Sequence, residues 1–400
     1  MVFIKKISTV FECIKVCGGL DYNFFKGKTA NSNQYARQEM TADNKFAGLI
    51  WKVQEMVRFH GIMLKMSIDD RQLGGYRAYF EEDLNIMFAL DYGVVDFPVW
   101  AKKVIPLEHF KKIRAAYHPE VGTSEIREKC HQLHYGINLL NQALKATFVP
   151  GPNISFDEGG VASRSRMNPV RQYNKDKPDK FRVDFFVLCN NTPGAYFIIH
   201  IDVYQGRNTE NIRIPPEIHK MPTTQKAVVN VVIQSKISHD PDGMRKLFMD
   251  NWYAAALLLV MLREQYQILG AGTSRQNRIG WMKEQMTLTK KDKRGASMNL
   301  YDKMNGVLVT QWNDNKVVSC TSTIRVLGLV SVNRRTGQDI LELKIKKALK
   351  EYQEYMDVLD HINQFRERGG CFAAKYHFKK WYKKADITVL NFSLLNSFFA

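Results

Sequence analysis

Three acidic sites, far apart along the chain, carry the residues best suited to chemistry. Asp157 ends a short apolar stretch at residues 153–156, and Asp250 follows the apolar residues 247–249 just ahead of an expected helix. Asp357 and Asp360 stand three residues apart, a spacing that puts both on one face of a helix. Carboxylates that cluster in a fold bind hard cations such as Mg²⁺. The sequence therefore predicts a metal site that only the tertiary fold can assemble.

The charges that follow these sites indicate what such a metal would act on. Basic stretches at residues 163–182, 273–294 and 365–386 each hold seven Lys or Arg against two Asp or Glu. Cations contact a phosphate backbone, and two metal ions about 4 Å apart can stabilise the attacking and leaving oxygens of a phosphodiester displacement. Aromatic residues that can stack on unpaired bases interleave the third stretch: Phe372, Tyr376, Phe378, Trp381 and Tyr382.

Each of these features has a simpler interpretation when it is taken alone. Asp157 fits a turn, Asp250 fits a helix cap, and Asp357 fits a solvated helix face. Any single basic stretch fits a solvated surface. The repeated order of an acidic site followed by a basic stretch is what favours metal-dependent chemistry on nucleic acid.

Length, composition and charge restrict the class of protein. The chain has 400 residues, enough for two or three domains, and 45% of them are hydrophobic, as in chains that bury a core. Lys and Arg outnumber Asp and Glu by 58 to 40, and the net charge of +18 favours nucleic acid, before a membrane surface, as partner. The apolar run at residues 254–262 is short for a membrane span, which needs roughly 20 residues.

The N-terminus and the cysteines bear on the compartment. Charged residues interrupt the apolar pattern near the N-terminus, so we recognise no cleavable signal there. Six scattered cysteines imply no disulfide framework. Both observations fit the cytosol or the nucleus.

Hydrophobic patterning divides the chain into three regions. Residues 1–45 are weakly patterned and predict a loose arm, whereas residues 46–148 show helical spacing. Beyond the prolines near residue 150, strands are expected at residues 181–189, 195–204 and 246–249, with a second hairpin at residues 307–312 and 316–321. Further helices are expected at residues 252–269 and 338–365.

Three short motifs fail as binding sites. Residues 27–29 (GKT) end like a phosphate-binding loop but lack the first glycine that such a loop requires. Residues 270–272 (GAG) lack the third glycine of a dinucleotide-binding fingerprint. Cys130, His131 and His134 could bind a metal, but no second cluster completes four ligands, so an ordinary helix is favoured.

At the acidic sites the sequence resembles the piggyBac transposase family. The similarity is strongest over residues 148–207, which include FVPGPNISFDEGG and AYFIIHIDVYQG. It continues at residues 248–253 (FMDNWY) and 356–360 (MDVLD), and more weakly at residues 59–79 and 131–145. Each motif alone is unspecific, but their combined order is specific.

The resemblance implies an α/β fold with an RNase H-like catalytic core, an insertion within that core, and a flanking α-helical dimerisation and DNA-binding domain. It assigns residues 46–150 to the first part of the helical domain and residues 151–363 to the core, with the insertion at residues 273–315. Residues 364–400 form the second part, which we expect to be truncated because its apolar helical pattern ends without a cap.

The resemblance also implies an activity. Family members are DNA transposases, polynucleotidyl transferases with endonuclease activity that cut transposon ends, pass through hairpin ends and join them to TTAA targets. The expected partners are double-stranded DNA and, in a homodimer, a second copy of the chain. The expected compartment is the nucleus, and no membrane is involved.

Site residues carry over motif by motif. The resemblance makes Asp157, Asp250 and Asp357 the catalytic carboxylates that bind two Mg²⁺ or Mn²⁺ ions, with Asp360 as an accessory ligand. Together with the basic stretches it gives the following candidate DNA-binding residues: Arg164, Arg166, Arg171, Lys175, Lys177, Lys180, Arg275, Arg278, Lys380 and Trp381.

Two departures from the family leave other interpretations open. Residues 354–356 (EYM) replace a frequent Gly-Gly-Val before the third aspartate, and no cysteine follows Cys371, whereas many members end in a cysteine-rich zinc domain that recognises transposon ends. A domesticated, transposon-derived protein that binds DNA without cutting it is therefore the alternative. An RNA-binding protein would need an RNA-recognition module, and none is visible.

Overall fold

The strand that carries Asp157 lies in the middle of a large mixed sheet. The computed structural model describes residues 19–43, 46, 49–68, 75–81, 100–121, 129–192, 195–206, 218, 220–237, 243–336, 338–368 and 378–399. The α-helices of this part are α1 (Tyr22–Asp43), α2 (Val53–Ile68), α3 (Leu107–Ala116), α4 (His131–Thr147), α5 (Thr223–Ser235), α6 (Ala256–Tyr266), α7 (Lys347–Met356), α8 (Val358–Arg368) and α9 (Trp381–Phe399).

The strands alternate with these helices in the second half of the chain. They are β1 (Asn153–Ala162), β2 (Gln172–Tyr173), β3 (Phe181–Thr192), β4 (Ala195–Val203), β5 (Arg245–Met249), β6 (Ile268–Thr273), β7 (Ser297–Asp302), β8 (Val307–Asn313), β9 (Val317–Ser322), β10 (Leu329–Thr336) and β11 (Asp339–Lys346).

One nine-stranded sheet contains all the described strands except two. Its order is β2-β3-β1-β5-β6-β9-β8-β7, with β4 also paired to β3, and β10 and β11 form a separate ribbon. β1 is antiparallel to β3 and parallel to β5, and β5 is parallel to β6. Because β1, β5 and β6 run in one direction, their carboxyl ends point to the same edge of the sheet.

Helices cover both faces of the central strands, which explains why those strands are apolar. Phe156 of β1 and Leu247, Phe248 and Met249 of β5 are buried, as is typical of strands covered on both faces. The absence of a side chain at Gly159 lets two helices approach β1, since a Cβ there would lie 3.0 Å from the Phe392 ring of α9 and 3.4 Å from an α8 amide oxygen.

The helices α1, α2 and α3 pack together and are tied to α9. The aromatic rings of Phe59 and Phe110 join α2 to α3 with centroids 5.2 Å apart. Lys28 of α1 forms an ion pair with Asp386 of α9, and Tyr117 donates a hydrogen bond to the same carboxylate; all three side chains are buried. This network joins the first described helix to the last one.

Much of the expected secondary structure is confirmed. The two hairpins are β3–β4 and β8–β9, and the short strand expected at residues 246–249 is β5. Helices occupy much of the described part of residues 46–148. Residues 122–128, where helical spacing is also expected, lie outside the residues that the structure describes. None of the described helices is long and apolar enough to cross a membrane.

Three expectations are wrong. Residues 22–43 of the expected loose arm form helix α1. The segment lacks clear apolar periodicity, but it packs against the rest of the protein through the buried side chains of Phe24 and Lys28. The helix expected to reach residue 269 ends at Tyr266, where Gln267 adopts a left-handed conformation and β6 follows. The first part of the helix expected at residues 338–365 is strand β11, and the rest is α7 and α8.

We predict that the buried ion pair is far more sensitive to the loss of one partner than of both. Lys28→Met alone leaves the Asp386 charge buried without its cation, which should lower the free energy of unfolding by about 3–5 kcal/mol. The double variant Lys28→Met/Asp386→Leu should be much closer to the unchanged protein. Chemical denaturation of the three proteins measures the difference, and equal losses in the single and double variants would contradict it.

A second stability prediction concerns pH. Burial lowers the pKa of His60 to about 4, so the folded protein keeps this ring neutral while the unfolded chain protonates it near pH 6.5. This contribution to stability is therefore present above pH 6.5 and is lost as the pH falls toward 4. Between pH 7 and 5 it should cost about 2 kcal/mol. The free energy of unfolding, measured at pH 7 and pH 5, should change by about 2 kcal/mol less in His60→Gln than in the unchanged protein. An equal change in both proteins would refute the buried, neutral state of His60.

Candidate active site

Two neighbouring strands place Asp157 and Asp250 side by side. The last paired residues of β1 and β5 are Phe156 and Met249. Asp157 and Asp250 are the next residues of the two chains, so the parallel register brings them into one row at the end of β5. The two acidic sites that the sequence separates widely are therefore adjacent in the fold.

Helix α7 lies on the face of the sheet to which these carboxylates belong. Side chains alternate along a strand, so residues 155 and 248 share a face with residues 157 and 250. On that face Ser155 Oγ donates a hydrogen bond of 2.5 Å to the Tyr355 carbonyl oxygen. The Tyr355 ring stacks on Phe248, with ring centroids 4.8 Å apart. The end of α7 is thus fixed to both carboxylate-bearing strands.

Asp357 lies in the break between α7 and α8, two residues beyond this contact. The Tyr355 carbonyl, which accepts the hydrogen bond from Ser155, also accepts one from Asn191 of β3. Asn191 donates a further hydrogen bond, of 3.1 Å, to Ser155 Oγ. The Asp357 carbonyl accepts the His361 amide at 3.0 Å, which begins α8. The side chains of Asp357 and Asp360 are exposed. The fold therefore carries the third acidic site to the same side of the sheet and leaves its carboxylates in solvent.

Burial and mutual repulsion raise the pKa of both inner carboxyl groups. The pKa of Asp157 lies well above its ordinary value because the group is desolvated and faces Glu158 and Asp250. Desolvation also raises the pKa of Asp250, although the Trp252 amide, which donates to its Oδ1 at 2.7 Å, opposes the rise. A bound cation favours the charged form of both groups.

The donor atoms of Asp157 and Asp250 are all carboxylate oxygens, the ligands that hard divalent cations prefer. In the described part of the chain, however, no three His, Cys, Asp or Glu side chains are grouped closely enough to hold a metal ion. The structure thus brings Asp157 and Asp250 together and leaves Asp357 and Asp360 outside that group. The assignment of these four residues as metal ligands stays a prediction.

Glu158 and Tyr253 also belong to this site, although neither was predicted from the sequence to be a site residue. Tyr253 is fully buried, and its hydroxyl donates a hydrogen bond to Glu158 Oε1. Desolvation and the charges of Glu158, Asp157 and Asp250 raise the pKa of Tyr253 well above its ordinary value, so its hydroxyl remains a donor. Both residues lie within the acidic motifs quoted above, but only the fold shows that they meet.

The first basic stretch contributes one positive charge near the carboxylates, that of Lys177. Lys177 and Arg275 come from different segments of the chain. The positive charge of each opposes the rise in the pKa of Asp250. The guanidinium group of Arg171 covers the Phe181 ring at 4.8 Å. The other five candidate cations of this stretch have exposed side chains: Arg164, Arg166, Lys175, Lys177 and Lys180.

The second basic stretch is attached to the segment that follows Asp250. Arg275 Nε donates to Asn251 Oδ1 at 3.2 Å, and its guanidinium group lies 4.8 Å from the centre of the Trp252 ring. Arg278 donates to the Trp252 carbonyl. Trp252 itself is 45% exposed beside the carboxylates. This exposed indole, which sequence reasoning missed, is a flat surface next to the candidate site.

The third basic stretch lies with the helices rather than with the carboxylates. Lys380 is exposed and its ammonium group lies 5.9 Å from the Tyr35 ring of α1, whereas Trp381 and Tyr382 are buried at the start of α9. Lys383 is buried too and donates to the Ala115 carbonyl at 2.7 Å. Trp381 therefore packs inside the helical part, and Phe372 and Tyr376 lie outside the described residues.

The rejected metal cluster behaves as an ordinary helix start. Cys130 is buried next to the first residue of α4, and its Sγ lies 3.5 Å from His134 Nε2. Among the residues with a described position, these side chains do not assemble three metal ligands. The free cysteines in this part of the chain are Cys130, Cys189 and Cys320.

Comparison with known proteins agrees with this architecture. The family model described as Transposase IS4 matches residues 20–398. Among solved structures, the cryo-EM structure of the piggyBac transposase synaptic complex with hairpin DNA superposes with a TM-score of 0.70 at 18% sequence identity. The superposition covers 98% of this chain and 75% of the other. At that identity the likeness concerns the fold.

Two curated human relatives are similar over a shared segment. PiggyBac transposable element-derived protein 3 is 23% identical over 296 residues, which cover 73% of this chain and 44% of that protein. The chimeric ERCC6-PGBD3 protein is also 23% identical over 296 residues, which are 24% of its length. The chain therefore spans less than half the length of these relatives. Because the family model matches nearly the whole chain, and the first relative and the solved structure both carry the piggyBac name, this protein belongs to the piggyBac-type transposase family.

Proposed function

We propose that this protein is a piggyBac-like DNA transposase that cuts DNA at transposon ends and transfers the ends to targets with a TTAA preference. The observation that carries the proposal is the register of β1 and β5, which puts Asp157 and Asp250 in one row under the end of α7. Asp357 directly follows the last residue of α7. Three acidic motifs in family order therefore converge on one side of one sheet.

The strand order supports an RNase H-like catalytic core. The strands β4, β3 and β1 form an antiparallel unit, and β5 and β6 continue it in parallel with β1. Strands β7 and β8 extend the sheet within the insertion expected at residues 273–315, and β9 follows that segment. We assign the packed helices α1 to α4 and α9 to the dimerisation and DNA-binding domain.

Each carboxylate has its own part in holding two Mg²⁺ or Mn²⁺ ions. Asp157 would contact both ions, Asp250 and Asp357 would each complete one site, and Asp360 would assist. When bound, the ions activate water or a 3′-hydroxyl and neutralise charge at the phosphorus. Ser155 and Asn191 hold the chain that carries Asp357, and Tyr253 holds Glu158 beside Asp157.

The exposed cations near Asp250 would position the DNA. Lys177 acts on Asp250 and Arg275 lies beside the exposed Trp252 ring. The same basic stretch as Lys177 presents further exposed cations: Arg164, Arg166, Lys175 and Lys180. Charged side chains of this kind neutralise phosphates, so binding should weaken steeply with salt. Double-stranded DNA as partner, a homodimer and a nuclear location complete the proposal.

A domesticated protein that binds DNA without cutting it is the second candidate. It is favoured by one of the two relatives, which is named as a transposable element-derived protein. The two candidates share basic surfaces and salt-dependent binding, so only metal-dependent turnover distinguishes them.

We predict that Asp157→Asn and Asp250→Asn each abolish metal-dependent cleavage and strand transfer on a pre-nicked DNA end. Loss of one carboxylate from a set that acts as a unit should lower the rate by about 10³-fold or more. The assay uses Mn²⁺ or Mg²⁺ and resolves hairpin and strand-transfer products on a denaturing gel.

The matched control for this experiment is Asp339→Asn, which removes an exposed carboxylate from the separate β10–β11 ribbon. It should leave turnover unchanged. Equal activity in Asp157→Asn and the unchanged protein would exclude the transposase assignment. Salt-sensitive DNA binding without products in the unchanged protein would favour the domesticated protein.

A further prediction concerns the anchor of Asp357. Asn191→Leu removes the hydrogen bonds that Asn191 donates to Tyr355 and Ser155, so it should loosen the chain two residues before Asp357. Turnover should fall about 10–100-fold, as for groups that orient metal ligands, and raising the Mn²⁺ concentration should restore part of it. DNA affinity without metal should not change. A parallel loss of DNA affinity would show that the anchor has a general structural role instead.

A further inference from the structure

A cavity at the other end of the sheet contains cations that the proposed active site does not use. Its volume is about 450 Å³ and it opens to solvent between α6, the β7–β8 turn and the segment after β9. Among the described residues, its charged lining residues are Arg263, Lys303 and Arg325, and none of the described Asp or Glu residues lines it. Three positive charges therefore converge on one cavity.

The cavity is separate from the carboxylates. Met244, in its wall, directly precedes β5, whereas Asp250 directly follows that strand. Six residues of extended chain span about 20 Å. That distance equals about six base pairs of duplex DNA at 3.4 Å per step.

Two of the three cations lack an acidic partner. Arg263 donates to Glu264 and to the carbonyl of Gly306, whose missing side chain leaves room for the guanidinium group. In the part of the chain with described positions, Lys303 and Arg325 have no hydrogen-bonded or ion-paired acid, and Arg325 only covers the Tyr301 ring at 5.1 Å. A dianionic or polyanionic ligand would remove the repulsion between these unpaired charges.

We propose that this cavity binds phosphate groups of a DNA duplex at a distance of about six base pairs from the catalytic centre. The chemistry of the lining, with two guanidinium groups and one ammonium group, matches phosphate oxygens. The hydroxyl of Thr323 does not compete for the ligand, since it bonds the backbone of Gly270. The proposal rests on the proposed DNA-directed function and adds to it a second contact that lies outside the active site.

The test compares Lys303→Gln/Arg325→Gln with Arg335→Gln/Lys344→Gln in the full chain. The control pair removes the same charge from an exposed arginine and an exposed lysine of the separate β10–β11 ribbon. Fluorescence anisotropy with a 30-base-pair duplex at several salt concentrations gives the affinity and its salt dependence. The cavity variant should lose affinity about tenfold, and its salt slope should fall by about 2.

Ethylation interference on a duplex with a pre-cut end locates the contact. Ethyl groups on phosphates about six base pairs from the end should weaken binding of the unchanged protein and the control, and should have no effect on the cavity variant. Equal behaviour of the cavity and control variants would overturn the inference and leave the proposed function intact.

A free-anion experiment separates the two sources of phosphate. If inorganic phosphate raises the melting temperature of the unchanged protein but not of the cavity variant, while both bind duplex equally, the cavity binds a small phosphate anion and the DNA assignment is wrong. If the unchanged protein binds no duplex at all, the proposed function fails along with the cavity assignment.

Discussion

The parallel pairing of β1 with β5 is the constraint on which the candidate site depends. It aligns the ends of two strands that are distant in sequence, and with them Asp157 and Asp250. It also creates the face on which α7 rests, because Ser155 and Phe248 stand in that same row. A shift of one residue in this register would turn one carboxylate to the other face of the sheet and separate the pair.

From the sequence, acidic motifs far apart along the chain could be expected to meet in the fold, as Asp157 and Asp250 do, whereas the bounds of several elements around them could not be predicted. The acidic motifs and the hairpins carry local signals, namely a carboxylate after an apolar run and turn residues between alternating strands. The break at Asp357 carries no such signal, since a helical pattern runs through it. Strand β11 did have one, an alternation of apolar and charged residues at positions 341–346 that buries Leu343 and Ile345. The helical spacing of the residues that form α7 and α8 led to the prediction of one long helix that included β11.

Other features could not be predicted because they arise from distant contacts. Nothing near Lys28 indicates that its ammonium group is buried, since its partner Asp386 is 358 residues away. The same holds for Tyr253 and Glu158, which meet only when β1 and the segment after β5 are neighbours. The burial of Trp381 likewise depends on helices from both ends of the chain, so an aromatic residue in a basic stretch was interpreted as a binding residue.

The raised pKa values of Asp157 and Asp250 have an evolutionary consequence. A carboxyl group that is harder to ionise in the folded chain than in the unfolded one lowers the stability of the fold at neutral pH. Natural selection for folding alone would therefore favour uncharged residues at both positions. The two aspartates that the candidate site needs therefore oppose the folding of the chain that carries them.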